Sequence, residues 1–222
     1  MNHKIIGKGN TADVLEYATG KVCKLFFDGY PQEYVELEYQ NAKELFQLKL
    51  QIPEPLGVIT IKERTGIIYE RIDGETLLSL MNGNENEKLL NMFASLHREW
   101  LHHHSDNVLS YKEYLTAMVQ NRTRKNNILI EKINALPDDD FLLHGDFHPN
   151  NILIAKNDVP VIIDFMNVCH GPVLYDIART FFLFKQENKN IANSYLRKMN
   201  VLEEDIAEYI HVIEQCRKYE GH

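Results

Sequence analysis

Residues Leu142–Ile154 read LLHGDFHPNNILI: an apolar run, a polar turn and a second apolar run. This alternation predicts two strands joined by a tight turn. Within the turn, Asp146 and Asn151 stand five positions apart. A further carboxylate, Asp164, follows thirteen positions after Asn151, directly behind the apolar run Val161–Ile163. Oxygen-bearing side chains at strand ends are suited to bind a divalent cation and to accept a proton.

The composition predicts a globular cytoplasmic protein with neither a nucleic acid nor a membrane as partner. The 222 residues are enough for one large core or two small lobes. A net charge of −8 argues against binding nucleic acid through a broad basic face. The sequence has no secretory signal and no apolar run of about 18 residues. Its three widely spaced cysteines predict reduced thiols.

Two glycines near the start, Gly7 and Gly9, form a Gly-x-Gly pattern. A dinucleotide-binding fold requires a helix directly after such a pattern. Here Val14–Ala18 leads into the turn signal Thr19–Gly20, and the strand-like run Lys21–Phe27 follows. The pattern therefore predicts a hairpin with a glycine loop. Such a hairpin either covers nucleotide phosphates with its backbone N–H groups or is purely structural, and the glycines alone leave both readings open.

Lys24 lies among apolar neighbours in the third predicted strand, either as a solvated edge residue or as a phosphate ligand. In the helix predicted after Pro31, Glu38 falls beside the apolar stripe. A carboxylate next to a buried face requires a cationic partner, and Lys24 is the candidate. The alternative is a Glu38 that borders the core and reaches solvent.

The chain is predicted to form two lobes. The segments Leu56–Ile61 and Thr65–Glu70 predict two more strands, and Glu70–Gly74 predicts a hinge. The N-terminal lobe, residues 1–72, would contain a five-stranded sheet and one helix, and residues 73–222 would form a mainly helical lobe. The helices expected there are Glu85–Leu101, Ser110–Leu136 with an interruption at Asn126–Asn127, Val173–Phe184, Lys189–Met199 and Leu202–Tyr219.

The motif His144–Asn151, His-Gly-Asp-x-His-x-x-Asn, resembles the catalytic loop of kinases, and Asp164–Met166 resembles their second metal-binding motif. In this form, with Ile-Asp-Phe following, it is similar to the aminoglycoside phosphotransferase and choline kinase family over about residues 5–185. The resemblance implies an α+β, bilobal protein-kinase-like fold with a small β-rich N-lobe and a mainly helical C-lobe. It also implies transfer of the γ-phosphoryl group of ATP, with Mg²⁺, to a hydroxyl of a small-molecule acceptor.

The resemblance also implies a role for each matching residue. Asp146 would be the catalytic base, and Asn151 and Asp164 would bind Mg²⁺. Lys24 would contact the α- and β-phosphates and pair with Glu38. Gly7 and Gly9 would lie in the loop that covers the phosphates. Backbone groups of Glu70 and Ile72 would hold adenine, and Tyr69 would lie at the back of the adenine pocket.

Two more matching residues, His144 and Asp176, would brace the catalytic loop, while His148 is given no chemical role. There are two departures from the family pattern. Ala12 replaces the third glycine of the loop, and the chain ends 46 residues after Asp176. Because C-terminal helices build much of the acceptor pocket in this family, the identity of the acceptor stays open. The choice between ATP and GTP and the oligomeric state also stay open.

The sequence argues against two other functions, a protein kinase and a non-catalytic regulator. A protein kinase needs a long activation segment between its metal-binding Asp and the following helix, but Asp176 comes only 12 positions after Asp164. A nucleotide-binding regulator without catalysis would be free to lose a catalytic side chain, yet all five are present: Lys24, Glu38, Asp146, Asn151 and Asp164. Both alternatives are therefore disfavoured.

Overall fold

The computed structural model describes residues 4–81, 86–120 and 126–219, which hold ten strands and eight α-helices. The strands are β1 (Ile5–Lys8), β2 (Ala12–Ala18), β3 (Lys21–Phe26), β4 (Pro55–Ile61), β5 (Arg64–Glu70), β6 (Gly74–Thr76), β7 (Phe141–Leu143), β8 (Ile152–Ala155), β9 (Pro160–Ile162) and β10 (Cys169–Gly171). The helices are α1 (Gln32–Gln47), α2 (Leu77–Met81), α3 (Glu87–Trp100), α4 (Tyr111–Gln120), α5 (Asn127–Ala135), α6 (Val173–Glu187), α7 (Lys189–Met199) and α8 (Ala207–Cys216). Within the described ranges, no helix is long and apolar enough to cross a membrane.

The chain divides into two compact units. The first combines Met1–Leu80 with Asn150–Met166, and the second combines Met81–Pro149 with Asn167–His222. Residues 150–166 belong to the first unit because β8 pairs with both β6 and β9. A side chain at Gly74 would collide with the backbone oxygen of Ile154, so the close pairing of β6 with β8 requires glycine there. This division differs from the expected lobes, because residues 150–166 belong to the first unit and not to the second. A lobe boundary near residue 72 stays a prediction.

The first unit contains the predicted five-stranded sheet, in the order β1-β2-β3-β5-β4. The glycine hairpin is confirmed, since β1 and β2 pair antiparallel and the Gly9 N–H donates to the Ala12 carbonyl at 2.9 Å. The next turn, at Thr19–Gly20, uses glycine in the left-handed region, with φ +70° at Gly20. Helix α1 packs on β4 and β5, so the unit has one helix beside its sheet, as the sequence predicts.

The second unit is organised around α6, which packs against α7 and α8. Residues 175–182 of α6 are all buried, so this helix has no solvent-facing stripe over two turns. Phe93 of α3 lies at the centre of an aromatic cluster, with ring centroids 5.1 Å from Phe147, 5.2 Å from Phe184 and 5.8 Å from Tyr195. The loop that carries Asp146 is therefore attached to the core through Phe147.

Capping residues and helical spacing in the sequence predicted most of the helices. Ser110 and Glu113 form the expected capping box, with the Ser110 N–H donating to Glu113 Oε2 at 2.9 Å and the Glu113 N–H donating to Ser110 Oγ at 3.1 Å. Asn126 caps α5, and the middle of the long helix expected from Ser110 falls partly on residues outside the described ranges. The helix expected over Leu202–Tyr219 is confirmed as one helical segment, in which α8 is flanked by 3₁₀ turns at Glu203–Ile206 and Arg217–Tyr219. That segment begins with a 3₁₀ turn, because the Asp205 side chain accepts from the Leu202 N–H at 2.9 Å and holds the chain there.

Candidate active site

Lys24 lies at the centre of a charged cluster in the first unit. Its ammonium Nζ donates to both carboxylate oxygens of Glu38 at 2.8 Å and to Asp164 Oδ1 at 2.7 Å. Glu38 also accepts from the Tyr69 hydroxyl at 3.3 Å. Only 1% of the Glu38 side chain is exposed, so the alternative of a solvated Glu38 is wrong.

The sheet and α1 bring this cluster together. Lys24 lies in β3, with Val14 of β2 on one side and Ile67 of β5 on the other, so it is not an edge-strand residue. Glu38 lies on the buried face of α1. Burial disfavours the charged ammonium, but the carboxylates of Asp164 and Glu38 outweigh that effect and raise the pKa of Lys24. Lys24 therefore stays a cation at neutral pH.

Asp164 follows β9 in an unusual backbone conformation. Its φ of +72° lies in the left-handed region, which Asp tolerates better than most residues but which is uncommon outside glycine. The next residue is fixed in place, because the amide of Asn41 on α1 donates to the Phe165 carbonyl at 2.9 Å. The Phe165 ring also packs edge-on against Tyr69, with centroids 6.4 Å apart. A residue whose neighbours hold it in a sparsely populated backbone conformation is typical of functional sites.

One backbone hydrogen bond brings Asn151 and Asp164, the two expected metal ligands, near each other in the chain's fold, because it joins Asn151 to the residue before Asp164. The Ile163 N–H donates to the Asn151 carbonyl at 3.0 Å, where β8 and β9 pair. No group of three or more His, Cys, Asp or Glu side chains able to hold a metal occurs in the part of the chain that the structure describes. Mg²⁺ usually takes one or two protein oxygens and fills its other positions with water and phosphate. An amide directly before β8 and a carboxylate shortly after β9 therefore fit a magnesium site that a substrate phosphate would complete.

The expected nucleotide-binding residues lie in the glycine hairpin, at the end of β5 and directly after β5. Gly7 is in β1 and Gly9 in the loop after it, so both belong to the hairpin. Tyr69 is buried near the end of β5. The N–H of Glu70 donates to the Glu54 carbonyl at 2.9 Å. Ile72 lies between β5 and β6.

Residues 144–149, the first part of the expected catalytic loop His144–Asn151, are in the second unit. His148 Nε2 lies 3.4 Å from Asp146 Oδ2, and Arg179 Nη2 lies 3.6 Å from Asp146 Oδ1. Burial alone would raise the pKa of Asp146, but the hydrogen bond from His148 and the charge of Arg179 outweigh it and lower the pKa to about 2. Asp146 is therefore ionised at neutral pH.

Helix α6 holds this loop with three side chains spaced i, i+3 and i+4. Asp176 accepts from the N–H groups of His144 and Gly145, both at 2.8 Å. Arg179 Nε donates to the Gly145 carbonyl at 3.2 Å, and the Thr180 hydroxyl donates to the Phe147 carbonyl at 2.8 Å. This spacing places all three side chains on one helix face.

Gly145 is required by the geometry of the loop. Its φ is +73°, and a side chain there would collide with the backbone oxygen of Asn167. The Tyr114 hydroxyl donates to the Asn167 side-chain oxygen at 2.9 Å, so that neighbour is fixed. The backbone that carries Asp146 therefore has little freedom to move.

A buried hydrogen-bond chain supports Asp176 from the other side. His97 Nε2 lies 3.2 Å from Asp176 Oδ2, and His97 Nδ1 lies 2.7 Å from the Tyr195 hydroxyl. With Nε2–H donating to the carboxylate, Nδ1 accepts from the tyrosine. Burial opposes ionisation of Asp176, but its hydrogen bond from His97 outweighs that effect and lowers its pKa. His97 thus has the structural role of a hydrogen-bonded core residue.

Sequence reasoning missed three polar residues of these clusters: Asn41, Arg179 and Thr180. Arg179 and Thr180 could have been predicted from helical spacing. They stand three and four positions after Asp176, which the resemblance assigns to the support of the loop, so all three lie on one helix face. Asn41 stands three positions after Glu38 and had the same signal.

Removal of the Glu38 side chain is expected to destabilise the protein strongly. Glu38→Ala leaves a partly buried Lys24 with one carboxylate partner instead of two and opens a cavity, which should cost about 3 kcal/mol. The matched control is Glu36→Ala, an exposed position on the same helix, with an expected loss of about 0.5 kcal/mol or less. Urea denaturation of the two variants measures the difference, and equal losses would contradict the assigned ion pair.

Comparison with solved structures identifies the fold. The apo form of a thermostable mutant of aminoglycoside phosphotransferase APH(4)-Ia has a TM-score of 0.72 at 15% identity, over 99% of this chain and 87% of that one. Aminoglycoside phosphotransferase APH(3'')-Id from Streptomyces rimosus, in complex with ADP and streptomycin, has a TM-score of 0.62 at 14% identity, covering 95% and 91%. Choline kinase LicA from Streptococcus pneumoniae has a TM-score of 0.61 at 14% identity, covering 99% and 83%. The predicted α+β protein-kinase-like fold is thereby confirmed.

A family model identifies the family itself. The model described as the phosphotransferase enzyme family matches residues 3–208. The chain therefore belongs to the phosphotransferase enzyme family, which confirms both the predicted family and the prediction of an enzyme. A comparison with curated protein sequences found no match.

Proposed function

We propose that the protein transfers the γ-phosphoryl group of ATP, with Mg²⁺, to a hydroxyl of a small molecule. The observation that carries the proposal is the cluster in which Lys24 binds both Glu38 and Asp164. A lysine held by a buried glutamate beside a metal-binding aspartate is the arrangement that phosphoryl transfer from a nucleotide requires. Such a cluster has no evident role in a purely structural hairpin.

The cluster supports distinct roles for its members. Lys24 would bind the α- and β-phosphates, with Glu38 holding its ammonium in place. Asn151 and Asp164 would hold Mg²⁺, which when bound would neutralise charge on the phosphates. Because Lys24 now donates to Asp164 at 2.7 Å, binding of the phosphates and metal would draw these two side chains apart.

The low pKa of Asp146 supports a role in which this carboxylate orients the acceptor hydroxyl before it takes the proton. A carboxylate with a pKa of about 2 is a weak base toward an alcohol. It would accept a hydrogen bond from the acceptor hydroxyl and orient the oxygen for in-line attack. It would take the proton as the new bond to the γ-phosphorus forms and the bond from that phosphorus to the bridging oxygen breaks, which releases ADP. This fits a loose transition state, in which the attacking oxygen needs positioning more than early deprotonation.

Adenine binding is proposed for the end of β5. The Glu70 carbonyl would accept from the adenine amino group, and the Ile72 N–H would donate to a ring nitrogen. The buried Tyr69 would close the back of the pocket, and the hairpin with Gly7 and Gly9 would cover the phosphates. The proposal includes ATP as donor because ADP is bound in the streptomycin complex of a structural neighbour.

The acceptor is proposed to be an aminoglycoside or another sugar-like antibiotic, choline or ethanolamine, or a metabolite sugar or amino alcohol. The first two classes appear among the structural neighbours, one of which is bound to streptomycin and another of which is a choline kinase. The acidic residues of the C-terminal segment do not decide between these classes. Glu203, for example, binds Lys185 at 2.7 Å and Asp205 caps a turn, so both have structural partners.

ADP release tests the proposal. Purified protein with ATP and MgCl₂ is assayed against streptomycin, other aminoglycosides, choline, ethanolamine and simple sugars. We expect at least one acceptor to raise ADP release well above the rate with water alone, and chelation of Mg²⁺ should abolish the increase. Nucleotide binding without turnover on any acceptor would instead favour a non-catalytic regulator.

A further inference from the structure

Arg179 contacts the catalytic loop in a way that Asp176 and Thr180 do not. Its Nε donates to the Gly145 carbonyl at 3.2 Å, while its Nη2 lies 3.6 Å from Asp146 Oδ1. One guanidinium group therefore reaches both the backbone before Asp146 and the Asp146 carboxylate. Asp176 and Thr180 instead bind the loop through its backbone N–H and carbonyl groups.

A cation is not needed to support this loop. The Gly145 carbonyl requires one donor, which a neutral side chain can supply, whereas burial of a guanidinium is unfavourable unless its charge is paired. Arg179 is only 4% exposed. The Asp146 carboxylate lies within reach of its charge and gives the buried cation its counter-charge.

The two carboxylate oxygens of Asp146 face different neighbours. Oδ1 lies toward the buried Arg179, and Oδ2 lies toward His148, whose side chain is 29% exposed. His144 is also near, and its Nδ1 accepts from the Asp146 N–H at 3.3 Å. The neighbour of Oδ2 is therefore the more exposed of the two, since the Arg179 side chain is only 5% exposed.

We infer that Arg179 is a positioning residue that holds Asp146 by Oδ1, so that Oδ2 is directed to the acceptor hydroxyl. The inference rests on the proposed function for its catalytic meaning. The contact between Arg179 and Asp146 can be tested separately, in protein without nucleotide.

Three variants separate the charge from the loop contact. Arg179→Gln removes the charge and keeps a donor for the Gly145 carbonyl, and Arg179→Lys keeps the charge without the planar fork. Thr180→Val is the matched control, because it removes a loop hydrogen bond on the same helix face without a change of charge. The pKa of Asp146 is measured by carbon NMR of its carboxyl group, assigned from the missing signal in Asp146→Asn.

Arg179→Gln is expected to raise the pKa of Asp146 from about 2 toward its ordinary value of 3.8, whereas Thr180→Val leaves it at the wild-type value. Arg179→Gln should also lower kcat at least about tenfold with the acceptor that responds best among streptomycin, choline and ethanolamine, while KM for ATP changes less than about twofold. Arg179→Lys should recover part of the lost rate. A purely structural role predicts equal effects of Arg179→Gln and Thr180→Val on kcat and no shift in the Asp146 pKa.

An Asp146 pKa in Arg179→Gln equal to that of wild type would overturn the inference, whether or not the protein turns over an acceptor. Failure of the proposed function is a different result, in which wild type releases no ADP with any acceptor. If Arg179→Gln does not fold, as judged by circular dichroism, Arg179→Lys decides. A reduced kcat with unchanged KM for ATP supports the inference, and the full wild-type rate overturns it.

Discussion

Asp146→Asn is expected to lower the rate of phosphoryl transfer by about a thousandfold or more, while the affinity for ATP changes no more than a few-fold. The substitution preserves the shape of the side chain but removes the charge that would accept the hydroxyl proton. His148 and Arg179 remain in place, and the loop is still held by Asp176 and Thr180. The loss should therefore appear in kcat, with little change in KM for ATP.

The matched control for this variant is Asp106→Asn, an exposed position in the same unit, which should transfer at the wild-type rate. Steady-state kinetics with the best acceptor and isothermal titration with ATP give the two quantities. Near wild-type turnover in Asp146→Asn would show that the base is assigned to the wrong residue.

Asp164→Ala is expected to remove the Mg²⁺ dependence of nucleotide binding. Asp164 would be one of two protein ligands of the metal, so its loss should weaken metal-dependent binding by more than the roughly 10–100-fold typical of an outer-shell partner. The same change also frees Lys24 from one of its two carboxylates. Binding of ATP without metal should therefore be retained or slightly improved, because the ammonium becomes more available to the phosphates.

Titration of ATP in the presence of MgCl₂ and in the presence of a chelator measures this difference. The control Asp158→Ala removes a carboxylate from the turn between β8 and β9, six positions before Asp164 in the chain. An Asp164→Ala protein with the same Mg²⁺ dependence as wild type would count against the ligand role.

Much of the first unit was predictable because its signals are local. Glycines and polar turns mark the ends of β2, β4 and β5, and helical spacing on α1 sets Glu38 against the core. The pairing of Lys24 with Glu38 followed from one rule, that a carboxylate at a buried face needs a cation. The catalytic-loop motif supplied the family, which the family model then confirmed.

The rest depends on contacts between residues far apart in sequence. The grouping of residues 150–166 with the first unit comes from β6 pairing with β8, which no local pattern reveals. The bond from Lys24 to Asp164 joins residues 140 positions apart. Residues 175–182 of α6 are all buried, so periodicity could not show which polar side chains face the loop, and Arg179 and Thr180 were missed.

Transfer of label from ATP radiolabelled in its γ-phosphoryl group to the best acceptor tests the proposed reaction in wild type and in Asp146→Asn. We expect the label to appear on the acceptor with wild type, in proportion to the ADP released, and to be almost absent with Asp146→Asn. Label released only as inorganic phosphate by wild type, or equal labelling of the acceptor by both proteins, would contradict a hydroxyl-directed phosphotransferase that uses Asp146.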